Sequence, residues 1–197
     1  MSFSYTPQLI GKAFSYQAYR QFINETLALP PADEMAIKMR PHIISNMELM
    51  DKFDHSYQVS PGLTAMLATA PATTWLVLTE GWCGDAAFNV PMMNAIEKAA
   101  PGKVKLRVLL RDSNPDVIDA NLTDGGRSIP KLIVLSEDLK ELGKWGPRPA
   151  GLQILMKEWK SEGLGLKEII PKVHAWYDAD DTHTLQHELG ELIAAYS

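Results

Sequence analysis

Cysteine is scarce in this chain: its 197 residues include one, Cys83. A single cysteine cannot form a disulfide within the chain, so a disulfide-stabilised framework is excluded. No apolar run approaches the roughly 20 residues that cross a bilayer. Residues 1–17 also lack the charged-then-apolar order of a secretory signal. These absences predict a cytoplasmic protein without membrane partners.

Basic clusters are missing as well. Lysines and arginines number 19 against 24 aspartates and glutamates, for a net charge of −5, and they are scattered along the chain. Nucleic-acid-binding surfaces need a basic patch, so we expect no nucleic-acid partner. With 46% hydrophobic residues, a chain of this length buries enough surface to fold without a metal ion, and we expect none.

Helical and strand-like segments alternate from residue 60 onward. Ser60 and Pro61 have the residue types that begin a short helix. TTWLVLTE is a continuous apolar run, which is typical of a central buried strand. The order helix, strand, helix, strand, helix, strand, strand, helix predicts an α/β protein, with a mixed sheet between helices on both faces. The later predicted elements are a helix at 84–99, a strand at 103–111, a short helix at 114–122, a strand at 130–136, an edge strand within 137–146 and a helix at 149–162.

Helical patterns flank this core on both sides. Apolar residues at helical spacing predict helices over 15–29 and 33–56, with Pro41 a kink or break in the second. Methionines on that second helix predict packing in the core or in a homodimer contact rather than a ligand site. Residues 166–196 are also predicted to be mostly helical. The predicted organisation is a helical N-terminal extension at 1–59, a domain at 60–162 and a C-terminal helical extension at 163–197 packed on that domain.

Cys83 falls where the buried strand ends and a helix begins. The first N–H groups of a helix have no internal partner and carry partial positive charge, which stabilises a thiolate. We therefore expect the pKa of Cys83 to lie below the usual value of about 8.5. Asp85 would oppose this shift if its carboxylate is close to the sulfur. The sequence leaves three roles open for Asp85: modulating the protonation of the thiol, accepting its proton, or starting the helix.

The segment EGWCGDA resembles the thioredoxin active-site motif W-C-G-P-C. Trp82, Cys83 and Gly84 match in place. Asp85 stands where the family has proline, and Ala86 stands where it has the second cysteine. The chain is most similar to bacterial thioredoxin-like proteins with a W-C-G-D motif. The resemblance covers about residues 60–160 and implies a thioredoxin-like fold with helical extensions.

A second segment, GGRSIPKLIVL, is similar to the thioredoxin segment that carries the cis-proline loop. Ile129 and Pro130 match its Ile-Pro pair, and Gly146 is near the position of the family's glycine beyond the final hairpin. The resemblance implies that Pro130 is cis, opposite Cys83, and that an extended peptide pairs with the backbone of Ile129. The implied substrate groove is formed by Trp82, Gly84, Ser128, Ile129, Pro130 and Gly146.

The departures from the family pattern limit the chemistry. Ala86 cannot resolve a mixed disulfide, and Val77 occupies the strand position of the family's buried aspartate. A self-contained dithiol reductase is thus excluded. The sequence favours a monothiol thiol–disulfide oxidoreductase, with Cys83 and Asp85 as the catalytic residues. Its partners would be protein disulfides or glutathionylated thiols. We expect no cofactor, and an external low-molecular-weight thiol would be the co-substrate.

Alternatives stay open beside this function. The chain could be a non-catalytic thioredoxin-fold binding or scaffold protein that holds a partner in the same groove. A lone thiolate on this fold could also share an iron–sulfur cluster across a dimer. His183 and His187 have the spacing of a zinc-binding pair, but their polar surroundings favour a solvated helix face. Arg127, close to the proline loop, is either an ordinary surface residue or a contact for an anionic thiol such as glutathione.

Overall fold

Four strands form one mixed sheet in the computed structural model, which describes residues 3–197. The strands are β1 (Thr73–Thr79), β2 (Val104–Leu110), β3 (Lys131–Leu135) and β4 (Glu141–Trp145). Their order across the sheet is β2-β1-β3-β4. β1 pairs with β2 in parallel and with β3 antiparallel, and β3 and β4 form an antiparallel hairpin. The prediction of a mixed sheet that ends in a hairpin is confirmed.

β1 lies in the middle of the sheet because its residues are apolar on both faces. Trp75, Leu76, Val77 and Leu78 are all fully buried. A strand with this pattern needs a helical layer on each side to exclude water. The sheet and its flanking helices form the predicted thioredoxin-like α/β fold.

Nine helices surround the sheet within residues 3–197. None of them is long and apolar enough to cross a membrane. They are α1 (Pro7–Lys12), α2 (Tyr16–Ala28), α3 (Glu34–Ser56), α4 (Pro61–Thr69), α5 (Gly84–Ala99), α6 (Pro115–Asp119), α7 (Ala150–Ser161), α8 (Leu166–Asp180) and α9 (His183–Tyr196).

Local signals explain most of these helix ends. The Ser60 side chain accepts a hydrogen bond from Leu63 N and caps α4, as its residue type predicted. α3 runs through Pro41 without ending there. The C-terminal helical stretch divides into α8 and α9 at Asp181 and Thr182, which have φ values of 45° and 67°. α1 was not predicted, because six residues are too short to display a helical period.

The flanking helices pack directly on the core of the sheet and its helices. α3 packs on α5, α2 contacts β2, and α9 packs against α4 and β4. Met47 and Met50 of α3 are buried in this core, whereas Met35 at its start is 62% exposed. The methionines of α3 thus divide between core packing and an exposed end. The contact between α3 and α5 also places α3 beside the turn that carries Cys83.

Candidate functional site

The thiol lies at the carboxyl end of the central strand, opposite a proline loop. Cys83 is the N-cap residue of α5. The peptide bond between Ile129 and Pro130 is cis, as the resemblance implied. Cys83 Sγ donates a hydrogen bond to the carbonyl oxygen of Ile129 at 3.3 Å. The two segments that the sequence analysis placed opposite each other are therefore in direct contact.

Helix α3 helps to hold the turn before Cys83. The buried Asn46 of α3 donates its amide to the carbonyl oxygen of Gly81 at 3.0 Å. Cys83 N donates to the carbonyl oxygen of Glu80 at 3.0 Å, which closes the turn. The Glu80 carboxylate in turn accepts from Asp112 N at 2.8 Å. The position of the thiol thus depends on an element of the N-terminal extension as well as on the sheet.

Burial controls the protonation of the thiol. Cys83 is 7% exposed. Loss of solvent and, less strongly, the negative charge of Asp85 raise the pKa of Cys83 to about 12. The backbone N–H groups of Ala86 and Asp85 and the charge of Arg148 act in the opposite direction. The expectation of a pKa below the usual value is wrong, because desolvation outweighs the helix donors.

The Asp85 carboxylate is held in a network of hydrogen bonds. Arg148 Nε donates to both of its oxygens at 3.2 and 3.1 Å, and Arg148 Nη2 donates to Oδ2 at 2.5 Å. The Tyr177 hydroxyl donates to Oδ1 at 2.9 Å. The two side chains of the ion pair are only 12% and 18% exposed. Both oxygens accept hydrogen bonds from Arg148 and Tyr177, and the thiol donates to Ile129 O rather than to Asp85. This geometry favours an electrostatic effect of Asp85 on Cys83 over acceptance of its proton.

Tyr177 attaches the C-terminal extension to this network. The Asn89 amide of α5 donates to the Tyr177 hydroxyl at 2.8 Å. The Tyr177 ring stacks on Phe88 with centroids 4.2 Å apart and an interplanar angle of 9°. Arg148 and Tyr177 were missed by the sequence analysis. The one local sign was the position of Arg148 between two prolines, close to the predicted Gly146.

An open cleft of about 530 Å³ surrounds the thiol; we call it the Cys83 cleft. Four of the predicted groove residues line it. The other two contact each other: Gly146 has φ +111°, and a Cβ atom there would lie 2.3 Å from the carbonyl oxygen of Pro130. The side chains and backbone that line the cleft belong to Trp82, Cys83, Gly84, Asp85, Arg111, Arg127, Ser128, Ile129 and Arg148.

Three arginines of this cleft are already engaged with other groups. Arg111 lies over the Trp82 ring, 4.8 Å from its centroid, and pairs with Asp112. Arg127 forms two hydrogen bonds of 2.6 Å with Asp119. Arg148 pairs with Asp85, as described above. The cleft therefore combines cationic side chains with neighbouring carboxylates, and its charge is balanced locally.

A second cavity of about 280 Å³ adjoins the Cys83 cleft; we call it the α3–α8 cavity. It lies between the two extensions: α3 contributes His42, Ser45 and Asn46, and α8 contributes much of its apolar wall. Its remaining lining comes from Met156 of α7 and from four residues that also line the Cys83 cleft, which are Trp82, Gly84, Asp85 and Arg148.

His183 and His187, which have the spacing of a zinc-binding pair, are exposed residues of α9. His187 is 74% exposed, and its Nε2 is 3.6 Å from Glu191 of the same helix. Within residues 3–197, no three histidine, cysteine, aspartate or glutamate side chains are grouped closely enough to hold a metal ion. This is the solvated helix face that the surrounding sequence favoured.

The thiol lies between the end of β1 and the start of α5, opposite a cis-proline that precedes β3. This arrangement defines a thioredoxin-like protein. The thioredoxin family model matches residues 34–160. The chain belongs to this family. The match includes α3 to α7 and all four strands, and α8 and α9 follow it. No curated protein matches the chain.

Solved structures support the fold over nearly the whole chain. A Pseudomonas aeruginosa protein of unknown function is 19% identical, with a TM-score of 0.61, and the alignment covers 98% of this chain and 97% of that one. An HIV epitope-scaffold protein is 17% identical, with a TM-score of 0.64, over 98% and 100% of the two chains. The fold similarity therefore extends through the helical extensions.

Proposed function

We propose that the protein is a thioredoxin-fold binding protein, which holds an extended segment of a partner in the Cys83 cleft. The observation that carries this proposal is the state of the thiol. Cys83 is buried, and its hydrogen is donated to Ile129 O at 3.3 Å. In this role the thiol connects the start of α5 to the proline loop instead of attacking a disulfide.

The raised pKa of Cys83 reduces its reactivity as a nucleophile. Only the thiolate is nucleophilic. With its pKa raised to about 12, Cys83 is far less ionised at pH 7 than an ordinary cysteine of pKa about 8.5. Since Ala86 cannot supply a resolving thiol, the site lacks both halves of dithiol exchange.

The proline loop favours a peptide as the ligand. Ile129 precedes Pro130 at the rim of the cleft, where the family resemblance implies pairing with an extended chain. A carbonyl oxygen has two lone pairs, so Ile129 O can accept a peptide N–H as well as the Cys83 thiol. Gly84 leaves space for the ligand, because a Cβ atom there would meet no atom within 4 Å.

The first test measures the reactivity of the Cys83 thiol. Iodoacetamide labelling of native protein should stay slow from pH 6 to 9, whereas the same protein unfolded in urea should react like a free cysteine. Cys83→Ser controls for labelling at other residues. A labelling midpoint near pH 7, together with a stable mixed disulfide with glutathione, would contradict the proposal.

The second test measures binding directly. A phage-displayed library of random heptapeptides should yield enriched sequences on the wild-type protein. Gly84→Phe fills the open space beside the thiol and should abolish the enrichment, whereas Cys83→Ser should retain it, because a hydroxyl also donates to Ile129 O. Gly62→Phe, at an exposed helix position with no atom within 4 Å of a Cβ, is the matched control. Absence of enrichment, or enrichment that Gly84→Phe does not change, would refute binding at this cleft.

A second candidate function, monothiol exchange, is favoured by two arginines of the cleft whose carboxylate partners are exposed. Arg111 and Arg127 line the cleft, their partners Asp112 and Asp119 are 58% and 48% exposed, and the two guanidinium groups could exchange these partners for the carboxylates of glutathione. The Cys83 thiolate would attack a glutathionylated protein, form a Cys83–glutathione disulfide and release the protein thiol. A second glutathione thiolate would then free Cys83 and leave as glutathione disulfide.

Mass spectrometry after exposure to glutathione disulfide separates the two candidates. Monothiol exchange requires a Cys83–glutathione adduct and turnover of a glutathionylated peptide by added glutathione. The adduct should then form more slowly in Arg127→Ala. A binding protein should form no adduct in the native state.

A further inference from the structure

The α3–α8 cavity adjoins the Cys83 cleft, and the part of its lining that it does not share with the cleft is more apolar. We propose that it is a specificity pocket that accepts one large apolar side chain of the bound partner segment. The inference rests on the proposed binding function and identifies the chemistry of the partner. The two spaces share Trp82, Gly84, Asp85 and Arg148, so a peptide in the cleft can extend a side chain into the cavity.

The cavity wall is apolar and incompletely covered. Met156 and Ile169 are buried in it, but Leu166 is 69% exposed and Ile170 is 44% exposed. A neighbouring apolar group would remove this surface from water, which is the main favourable contribution to such contacts. Val173 and the Trp82 ring complete the apolar lining.

Charge complementarity favours an uncharged occupant. The one ion pair that borders the cavity is Asp85–Arg148, and its two charges cancel at hydrogen-bonding distance. The other polar residues of the lining are His42, Ser45, Asn46 and His174, with no further Lys, Arg, Asp or Glu among them. A charged side chain would therefore lose water without gaining a carboxylate, ammonium or guanidinium partner that is still unpaired. An apolar side chain gives up no hydration of a charge and gains contact with the apolar residues of α8. We therefore infer leucine, isoleucine, methionine or phenylalanine as the occupant.

The cavity is at the small end of the range for ligand sites, which suits a single side chain. Small-molecule and cofactor sites usually have volumes of about 300–1,000 Å³, and this cavity has about 280 Å³. Burying one large apolar side chain contributes enough to change affinity by about 10- to 150-fold. The cavity can therefore select among partner sequences without being the main source of affinity.

The heptapeptide library tests this inference through the position of the apolar residue. Peptides enriched on the wild-type protein should carry a large apolar residue at one fixed position. A synthetic consensus peptide with alanine at that position should bind the wild-type protein about 10- to 150-fold more weakly by fluorescence anisotropy. The Ile170→Lys variant of the protein has a charge at the cavity wall. For this variant, the same alanine replacement in the peptide should weaken binding less than threefold.

Ala175→Lys is the matched control, because it adds the same charge at another exposed position of α8 and should leave the alanine penalty unchanged. Enriched peptides without a fixed apolar position would overturn the inference, as would an equal alanine penalty on the wild-type protein and Ile170→Lys. Both results leave the proposed binding function intact. Loss of enrichment altogether refutes that function and the inference with it.

Discussion

Removing the partner of Asp85 should destabilise the protein far more than removing an exposed partner. Arg148→Met preserves most of the apolar stem but leaves the Asp85 carboxylate with one donor, the Tyr177 hydroxyl. The two charged side chains are 12% and 18% exposed, so water cannot fully replace the guanidinium. Breaking a buried pair from one side costs about 3–5 kcal/mol. Since this pair is not fully buried, we expect about 3 kcal/mol.

For a chain of this length, that loss lowers the melting temperature by about 6–12 °C. Urea unfolding followed by tryptophan fluorescence gives the free energy of unfolding directly. The matched control is Arg127→Met, which removes an equally close partner from Asp119 at a site where the two side chains are 54% and 48% exposed. This control should change stability little, because exposed ion pairs are screened by water.

A double-mutant cycle makes the test quantitative. Asp85→Asn combined with Arg148→Met removes both charges, so the double variant should be more stable than the sum of the single changes predicts. The reasoning is refuted if Arg148→Met is no more destabilising than Arg127→Met. It is equally refuted if the two single effects simply add.

Three further predictions concern the thiol and the proline loop. Asp85→Asn should lower the pKa of Cys83, because it removes a negative charge and leaves the nearby guanidinium of Arg148 unpaired. The midpoint of iodoacetamide labelling should therefore move to lower pH. An unchanged or higher midpoint would contradict this prediction. Gly146→Ala should destabilise the protein or prevent folding, because φ is +111° and the new Cβ would lie 2.3 Å from a carbonyl oxygen. Gly62→Ala, with no atom within 4 Å of the new Cβ, should be neutral or slightly stabilising in a urea titration. Ala86→Cys should form a disulfide with Cys83 on mild oxidation, since the two positions are one helical turn apart in a thioredoxin-like site; two free thiols after oxidation would argue against that geometry.

The fold was predictable because its signals are local. The apolar run Thr73–Thr79 indicates a central strand, and the order of the segments after it fixes the layers. The cis peptide bond before Pro130 followed from a short motif. α1 lacked such a signal, since its six residues are too few for a period.

The electrostatics of the site were less predictable because they depend on distant residues. Asp85 is hydrogen-bonded to Arg148 and Tyr177, which lie 63 and 92 residues after it in the chain. No periodicity in the sequence connects them. The pKa of Cys83 was predicted in the wrong direction for a related reason: the helix donors are local and visible in sequence, whereas burial is a property of the assembled structure.

The bond from Tyr177 to Asp85 also sets the order in which the site is completed during synthesis. The strands and α5 leave the ribosome long before Tyr177, because the chain is made from its N-terminus. Until α8 emerges, Asp85 lacks its hydroxyl donor, and the α3–α8 cavity lacks its α8 wall. The nascent chain therefore passes through a stage in which its sheet can form while this cavity is still open on one side. The C-terminal extension is the last part of the site to be added.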